Sequence, residues 1–168
     1  EVIAKEPLDV FMQRRIFEPL QMTDTGFFVP KAKHSRLIRM YQRDKSGKLE
    51  PVDQAFRDGF LSKPKMASGG GGLVSTIDDY LKFTQMLLNE GIYNGKRLLS
   101  PTTVRLMLAE HTTPAQRLSE GYGMGLGFGI NVDPVRRGNA GTPGEAGWSG
   151  IANTFFWIVP HKNLAYMA

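Results

Sequence analysis

Across residues 7–17 the apolar positions Leu8, Phe11, Met12 and Ile16 recur at three- and four-residue spacing, which predicts a helix with one buried stripe. Pro7 suits its first turn, and Glu18-Pro19 predicts its end. Residues 20–65 keep no period for long. Turn signals stand at Thr23-Asp24-Thr25-Gly26 and Lys45-Ser46-Gly47, with one short strand expected over residues 37–42. A connection of that length is expected to wrap a surface or frame a site. The helical period returns at Ile77, Tyr80, Leu81, Thr84, Leu87 and Leu88, with Ser75 as the expected cap, Asp78 and Asp79 facing the positive end of the dipole, and Gly91 as the left-handed stop. Ser100-Pro101 opens a second helix, expected to reach Glu110. Over residues 121–130 glycines alternate with Tyr122, Met124, Leu126, Phe128 and Ile130, which predicts one strand with a bare face against which something packs closely. Residues 154–159 and 164–167 flank Pro160-His161-Lys162-Asn163 and predict a hairpin. Its second strand runs into Ala168 without a turn, so the chain is expected to be cut there.

Composition narrows the chemistry. The 168 residues are 41% hydrophobic and 22% charged, which fits one globular domain or part of a larger one rather than a disordered chain. With no Cys there is no disulfide, thiolate metal site or cysteine nucleophile. His34, His111 and His161 are too far apart in sequence to form a helical metal pair, so no metal is expected. The longest apolar stretch, residues 151–159, is broken by Asn153 and Thr154 and falls short of the roughly 20 residues of a membrane span. The net charge of +5 is spread among acidic residues, and the densest basic run, residues 31–43, holds Tyr41 as its one aromatic. A solvated face is expected there, with no nucleic-acid partner. Glu1 stands where a Met or a leader would be, which leaves cytoplasm, periplasm and exterior open. Oligomeric state is not legible.

Three motifs are weighed and set aside. Gly69-Gly70-Gly71-Gly72 lacks the spacing and the following Lys-Ser/Thr of a phosphate cradle, so it reads as a permissive turn. Ser62-Lys63-Pro64-Lys65 matches S-x-x-K, but its proline and the glycines after it oppose the helix that would set lysine beside serine. G-x-S-x-G is missing, because Gly147-Trp148-Ser149-Gly150 is followed by Ile151.

Six segments taken together carry a resemblance. They are Glu18-Pro19-Leu20-Gln21-Met22-Thr23-Asp24-Thr25-Gly26-Phe27, Gly71-Gly72-Leu73-Val74-Ser75-Thr76-Ile77-Asp78-Asp79, Met86-Leu87-Leu88-Asn89, Leu98-Leu99-Ser100-Pro101, Gly125-Leu126-Gly127-Phe128 and Gly147-Trp148-Ser149-Gly150. In this order the chain resembles the C-terminal half of the serine β-lactamase-like superfamily, with its class C β-lactamases, penicillin-binding DD-peptidases and family VIII carboxylesterases. Gln21 departs from the glycine usual there. The resemblance implies an α+β fold, a helical lobe plus an antiparallel sheet flanked by helices, only partly present. Residues 1–168 are thus expected to be a fragment of a single domain, lacking the N-terminal nucleophile region and the C-terminal end.

In that superfamily a serine attacks a carbonyl to form an acyl-enzyme, with the S-x-x-K lysine and a motif tyrosine as helpers. Both lie upstream of the Pro-Leu-Gly-Met segment, so the isolated fragment is expected to be inactive. The third motif resembles Trp148-Ser149-Gly150. By that likeness the Ile151 N–H supplies half of an oxyanion hole, Gly150 lets substrate approach the backbone, and Ser149 bonds substrate. Trp148 stands where β-lactamases carry lysine, which implies an apolar wall and uncharged esters. The expected substrate is a small ester or a β-lactam-like molecule, without cofactor. A β-lactamase or DD-peptidase, and a catalytically dead binding module, are the alternatives.

Overall fold

Pro7 precedes a helix, as its fixed φ favours, but the helix is longer and less regular than its apolar stripe predicts. In the computed structural model, which describes residues 1–52 and 57–168, an α-helix over Leu8–Met12 widens into a π-turn over Gln13–Phe17 and resumes over Glu18–Leu20. The expected stop at Glu18-Pro19 is therefore corrected. A proline ring clashes with the carbonyl four residues back, here Arg15, and that residue lies in the widened turn. The chain leaves the helix instead at Gln21, held left-handed at φ 57. This is the position at which the resemblance implies glycine. Gln21→Gly should raise the urea-unfolding free energy by about 1 kcal/mol, the strain relieved, less whatever the glutamine side chain contributes. A lower free energy in the variant would show that the side chain outweighs the strain.

The chain divides into two units, Glu1–Asp79 and Tyr80–Ala168. The first buries Phe17, Leu20, Met22 and Phe27. Its expected strand at 37–42 forms three residues at Tyr41–Arg43 (β1), paired antiparallel with Leu49–Pro51 (β2). The turn decides that shift: the Asp44 carboxylate accepts hydrogen bonds from the N–H and hydroxyl of Ser46 and the N–H of Lys48, which fixes where pairing starts. Residues 53–56, within the stretch read as irregular, lie outside the described residues.

The helix Ile77–Leu88 is capped by Thr76 rather than Ser75, since the Asp79 N–H donates to Thr76 Oγ1 at 3.3 Å. Ser75 is turned to Thr25, their hydroxyls 2.7 Å apart. Asp79 is buried and reaches back, accepting from the Asp24 N–H at 2.6 Å and from Thr25 Oγ1 at 3.0 Å. A two-way backbone bridge between Gly26 and Val74 runs alongside. Asp24 in turn is clasped by Arg36 at 2.9 Å and by Lys33, and their hydrogen bonds hold its carboxyl at about 2. Two of the six segments thus form one latch.

In the second unit, Tyr80 and Thr84 take their expected places with Phe83, Met86 and Leu87, while Leu81 is exposed, as is Ile77 at the helix start. The buried stripe is rotated because the Tyr80 ring packs on Phe156, 4.9 Å between centres, and edge-on against Phe83. Glu90 and Gly91 are both left-handed at the helix end. A small hairpin follows, Ile92–Tyr93 (β3) with Lys96–Arg97 (β4). The helix Pro101–Leu108 starts as read, with Ser100 Oγ accepting from the Thr103 N–H at 3.0 Å, and ends two residues early.

Five strands then form an antiparallel meander: Tyr122–Met124 (β5), Gly129–Asn131 (β6), Glu145–Ser149 (β7), Phe155–Val159 (β8) and Leu164–Met167 (β9). The single strand expected over 121–130 is corrected to a hairpin. Gly127 takes φ +86, and the Gly125 N–H bonds the Phe128 carbonyl, so the chain reverses where the alternation implied continuation. Close packing on the glycine face is nevertheless present: a Cβ on Gly123 would overlap the Glu110 carboxylate and the Thr112 hydroxyl. The β8–β9 hairpin is as expected, with Asn163 left-handed after the Pro160–Lys162 turn. The α+β expectation holds: helices and an antiparallel sheet, with Phe128, Ile130, Ala146 and Ile158 in the core.

Candidate active site

β7 is the middle strand of the five, and its C-terminal end carries Trp148 and Ser149 into the turn that leads to β8. Trp148 pairs with Phe156 and Ser149 with Phe155, so the two side chains leave the sheet on opposite faces. Trp148 shares the face that holds Phe156 and the Tyr80 ring and is 43% exposed. Ser149 is exposed on the other face, beside Phe155. A wall and a hydrogen-bonding hydroxyl therefore do not stand side by side on one surface of the sheet. They flank its end.

The turn itself is tight. The Gly150 N–H donates to the Thr154 carbonyl at 2.8 Å, and the Asn153 N–H to the Gly150 carbonyl at 3.1 Å, with Asn153 left-handed at φ 58. A Cβ on Gly150 would stand 2.6 Å from the Thr154 hydroxyl, which would have to turn away to make room. Thr154 was not singled out by sequence, where nothing but its place four residues on marks it. Ile151 stands at the tip, 88% exposed. Among the described residues its N–H has no hydrogen-bond partner. An unpaired, solvent-facing main-chain donor beside a glycine is chemically able to receive an oxyanion.

Ser62 and Lys63 lie in irregular chain, as read. Lys63 Nζ is 2.9 Å from the Asp9 carboxylate, and that hydrogen bond pulls the Asp9 carboxyl below its ordinary value. The histidines sit apart: His34 and His111 each bond a backbone carbonyl through Nε2, those of Val29 and Leu106, and His161 lies in the β8–β9 turn. Among the described residues there is no cluster of three His, Cys, Asp or Glu able to hold a metal, and no helix is long and apolar enough to cross a membrane.

Known proteins share this architecture. The hydrolase EstCE1, a protein with promiscuous acyltransferase activity, superposes with a TM-score of 0.78 at 25% identity, covering 97% of this chain and 45% of its own. Protein Rv1367c of Mycobacterium tuberculosis is 35% identical over 173 residues, 96% of this chain and 43% of the relative. Lovastatin esterase of Penicillium rubens is 28% identical, over 91% and 42%. The chain spans less than half the length of each. The fold is that of the β-lactamase and transpeptidase group, and its neighbours also include a simvastatin synthase and penicillin-binding protein homologues. The family model Beta-lactamase matches residues 1–168, and the chain belongs to that family.

Proposed function

We propose that the protein carrying residues 1–168 is a serine hydrolase of the carboxylesterase type that works through an acyl-enzyme. This chain supplies Trp148, Ser149, Gly150 and the Ile151 N–H, and the nucleophile and its base lie outside these residues. The observation that carries the reading is the Ile151 N–H, exposed and unpartnered directly after Trp-Ser-Gly at the end of a central strand. When serine adds to an ester carbonyl, negative charge grows on the carbonyl oxygen, and a fixed N–H at that point stabilises the transition state more than the ground state. The second donor is assigned to the backbone of the nucleophile. Ser62 is no candidate for that role, since Lys63 is tied to Asp9 and no helical turn sets Lys65 beside it.

Trp148 decides the substrate class in this reading. Its ring offers apolar contact where a lysine would meet a substrate carboxylate, which favours neutral esters over β-lactams and peptide C-termini. The lovastatin esterase and the hydrolase EstCE1 among the relatives support this. In the full-length protein, Trp148→Lys should lower kcat/KM for a short-chain nitrophenyl ester by about tenfold, because a hydrated cation replaces the wall. A chromogenic cephalosporin is the companion substrate. Unchanged ester turnover in a stably folded variant would remove Trp148 from the site, whereas cephalosporin turnover above ester turnover in the wild type would make the protein a β-lactamase.

A further inference from the structure

The start of β7 carries a second polar cluster, four residues before Ser149. Pairing across the strands puts Tyr122, Asn131, Glu145, Trp157 and Tyr166 on one face of the sheet, the face opposite Phe156. Glu145 is buried with both oxygens occupied: Oε1 accepts from the Tyr166 hydroxyl at 2.6 Å, and Oε2 from Asn131 Nδ2 at 3.1 Å and the Thr142 N–H at 3.3 Å. Burial and the neighbouring carboxylate push the Tyr166 phenol up, so it stays the donor.

Over this face lies Arg137, delivered by the short helix Pro134–Arg137 whose first turn is capped by Asp133. Its guanidinium carbon stands 3.7 Å above the centre of the Tyr122 ring and 5.0 Å from that of Trp157. Asp133 and Glu120 pair with Arg136, and Glu145, which lines the same depression, is held by the neutral donors described rather than by Arg137. Among the described residues Arg137 has neither a carboxylate partner nor a side-chain hydrogen bond, and its Nη1 is shut away from water. A partly desolvated guanidinium held on two rings, in an ion pair with no carboxylate, still has donors to offer an anion that meets it. On the same open depression Lys162 Nζ donates one bond, to Thr142 Oγ1 at 3.1 Å, which leaves further donors. Val159 and Leu164 give the depression an apolar side.

We propose that this depression binds a small carboxylate with a short apolar body, the carboxylate on Arg137 and Lys162 and the body against Trp157 and Leu164. The site does not depend on the esterase reading, because it sits at the other end of β7 and uses none of the residues assigned there.

The test is calorimetric titration of the full-length protein with sodium benzoate, with benzamide as the uncharged analogue and inorganic phosphate as an anion without an apolar body. Benzoate should bind at least tenfold more tightly than either. Arg137→Gln should weaken benzoate at least tenfold with the melting temperature held. Lys162 is exposed, so Lys162→Gln leaves the fold intact and should weaken benzoate severalfold, which decides the matter if the arginine variant does not fold. No benzoate binding, equal binding of benzamide, phosphate binding as tight as benzoate, or benzoate affinity unchanged in both variants would each overturn the proposal.

Discussion

Replacing Ile151 with proline in the full-length protein should lower kcat for ester hydrolysis by about 10²–10³, the cost of deleting one oxyanion donor. The substitution removes a single main-chain N–H that no other described residue uses, at the exposed tip of the β7–β8 turn. KM should change little, because the lost interaction strengthens only as charge develops. The turn favours the experiment: its internal bonds come from the N–H groups of Gly150 and Asn153, so a proline between them breaks neither. Ile151→Ala is the control, keeping the N–H while trimming the side chain, and should retain most activity. A proline variant with an unchanged circular dichroism spectrum and melting temperature that acylates at the parental rate would show that Ile151 is not the donor. The Trp148-Ser149-Gly150 assignment would then lose its mechanistic support.

Asp79→Ala should cost about 3 kcal/mol of unfolding free energy, the largest stability effect expected among the residues described. The buried carboxylate accepts from the Asp24 N–H and from Thr25 Oγ1, and alanine leaves both donors facing a gap. It also removes a negative charge from the first turn of the Ile77–Leu88 helix. Asp79→Asn retains one acceptor oxygen and should cost roughly half as much. Urea unfolding of the three proteins measures this. A loss of under about 0.5 kcal/mol in the alanine variant would mean that the latch is incidental to stability.

The latch also shows what a motif match conceals. Thr23-Asp24-Thr25-Gly26 and Ser75-Thr76-Ile77-Asp78-Asp79 are legible as a turn and a helix start, each from local chemistry. Their joint role is not, because Asp24 and Asp79 lie 55 positions apart and meet through one hydrogen bond. The same limit moved the cap from Ser75 to Thr76: both hydroxyls suit a cap, and contact with Thr25 took Ser75 away from it. At Gln21, the resemblance marked a departure, and the structure gives its setting, a left-handed backbone at the helix end.

Local sequence settles whatever a few neighbouring residues decide among themselves. The Ser100 cap, the Asp44 turn and the β8–β9 hairpin with its Pro160 start all follow from short-range sterics and hydrogen bonding. The order of six segments carried the family as well. Tertiary structure alone decided where competing local preferences were settled by distant partners. Period-two glycines predicted one strand, and the reversal at left-handed Gly127, with β5 folded back to pair with β6, made it a hairpin. The apolar stripe of the Ile77–Leu88 helix could face several ways until Phe156 met Tyr80. Arg137 reads as one more surface charge until pairing stacks Tyr122 and Trp157 beneath it, since cross-strand neighbours are set by register and not by proximity in the chain.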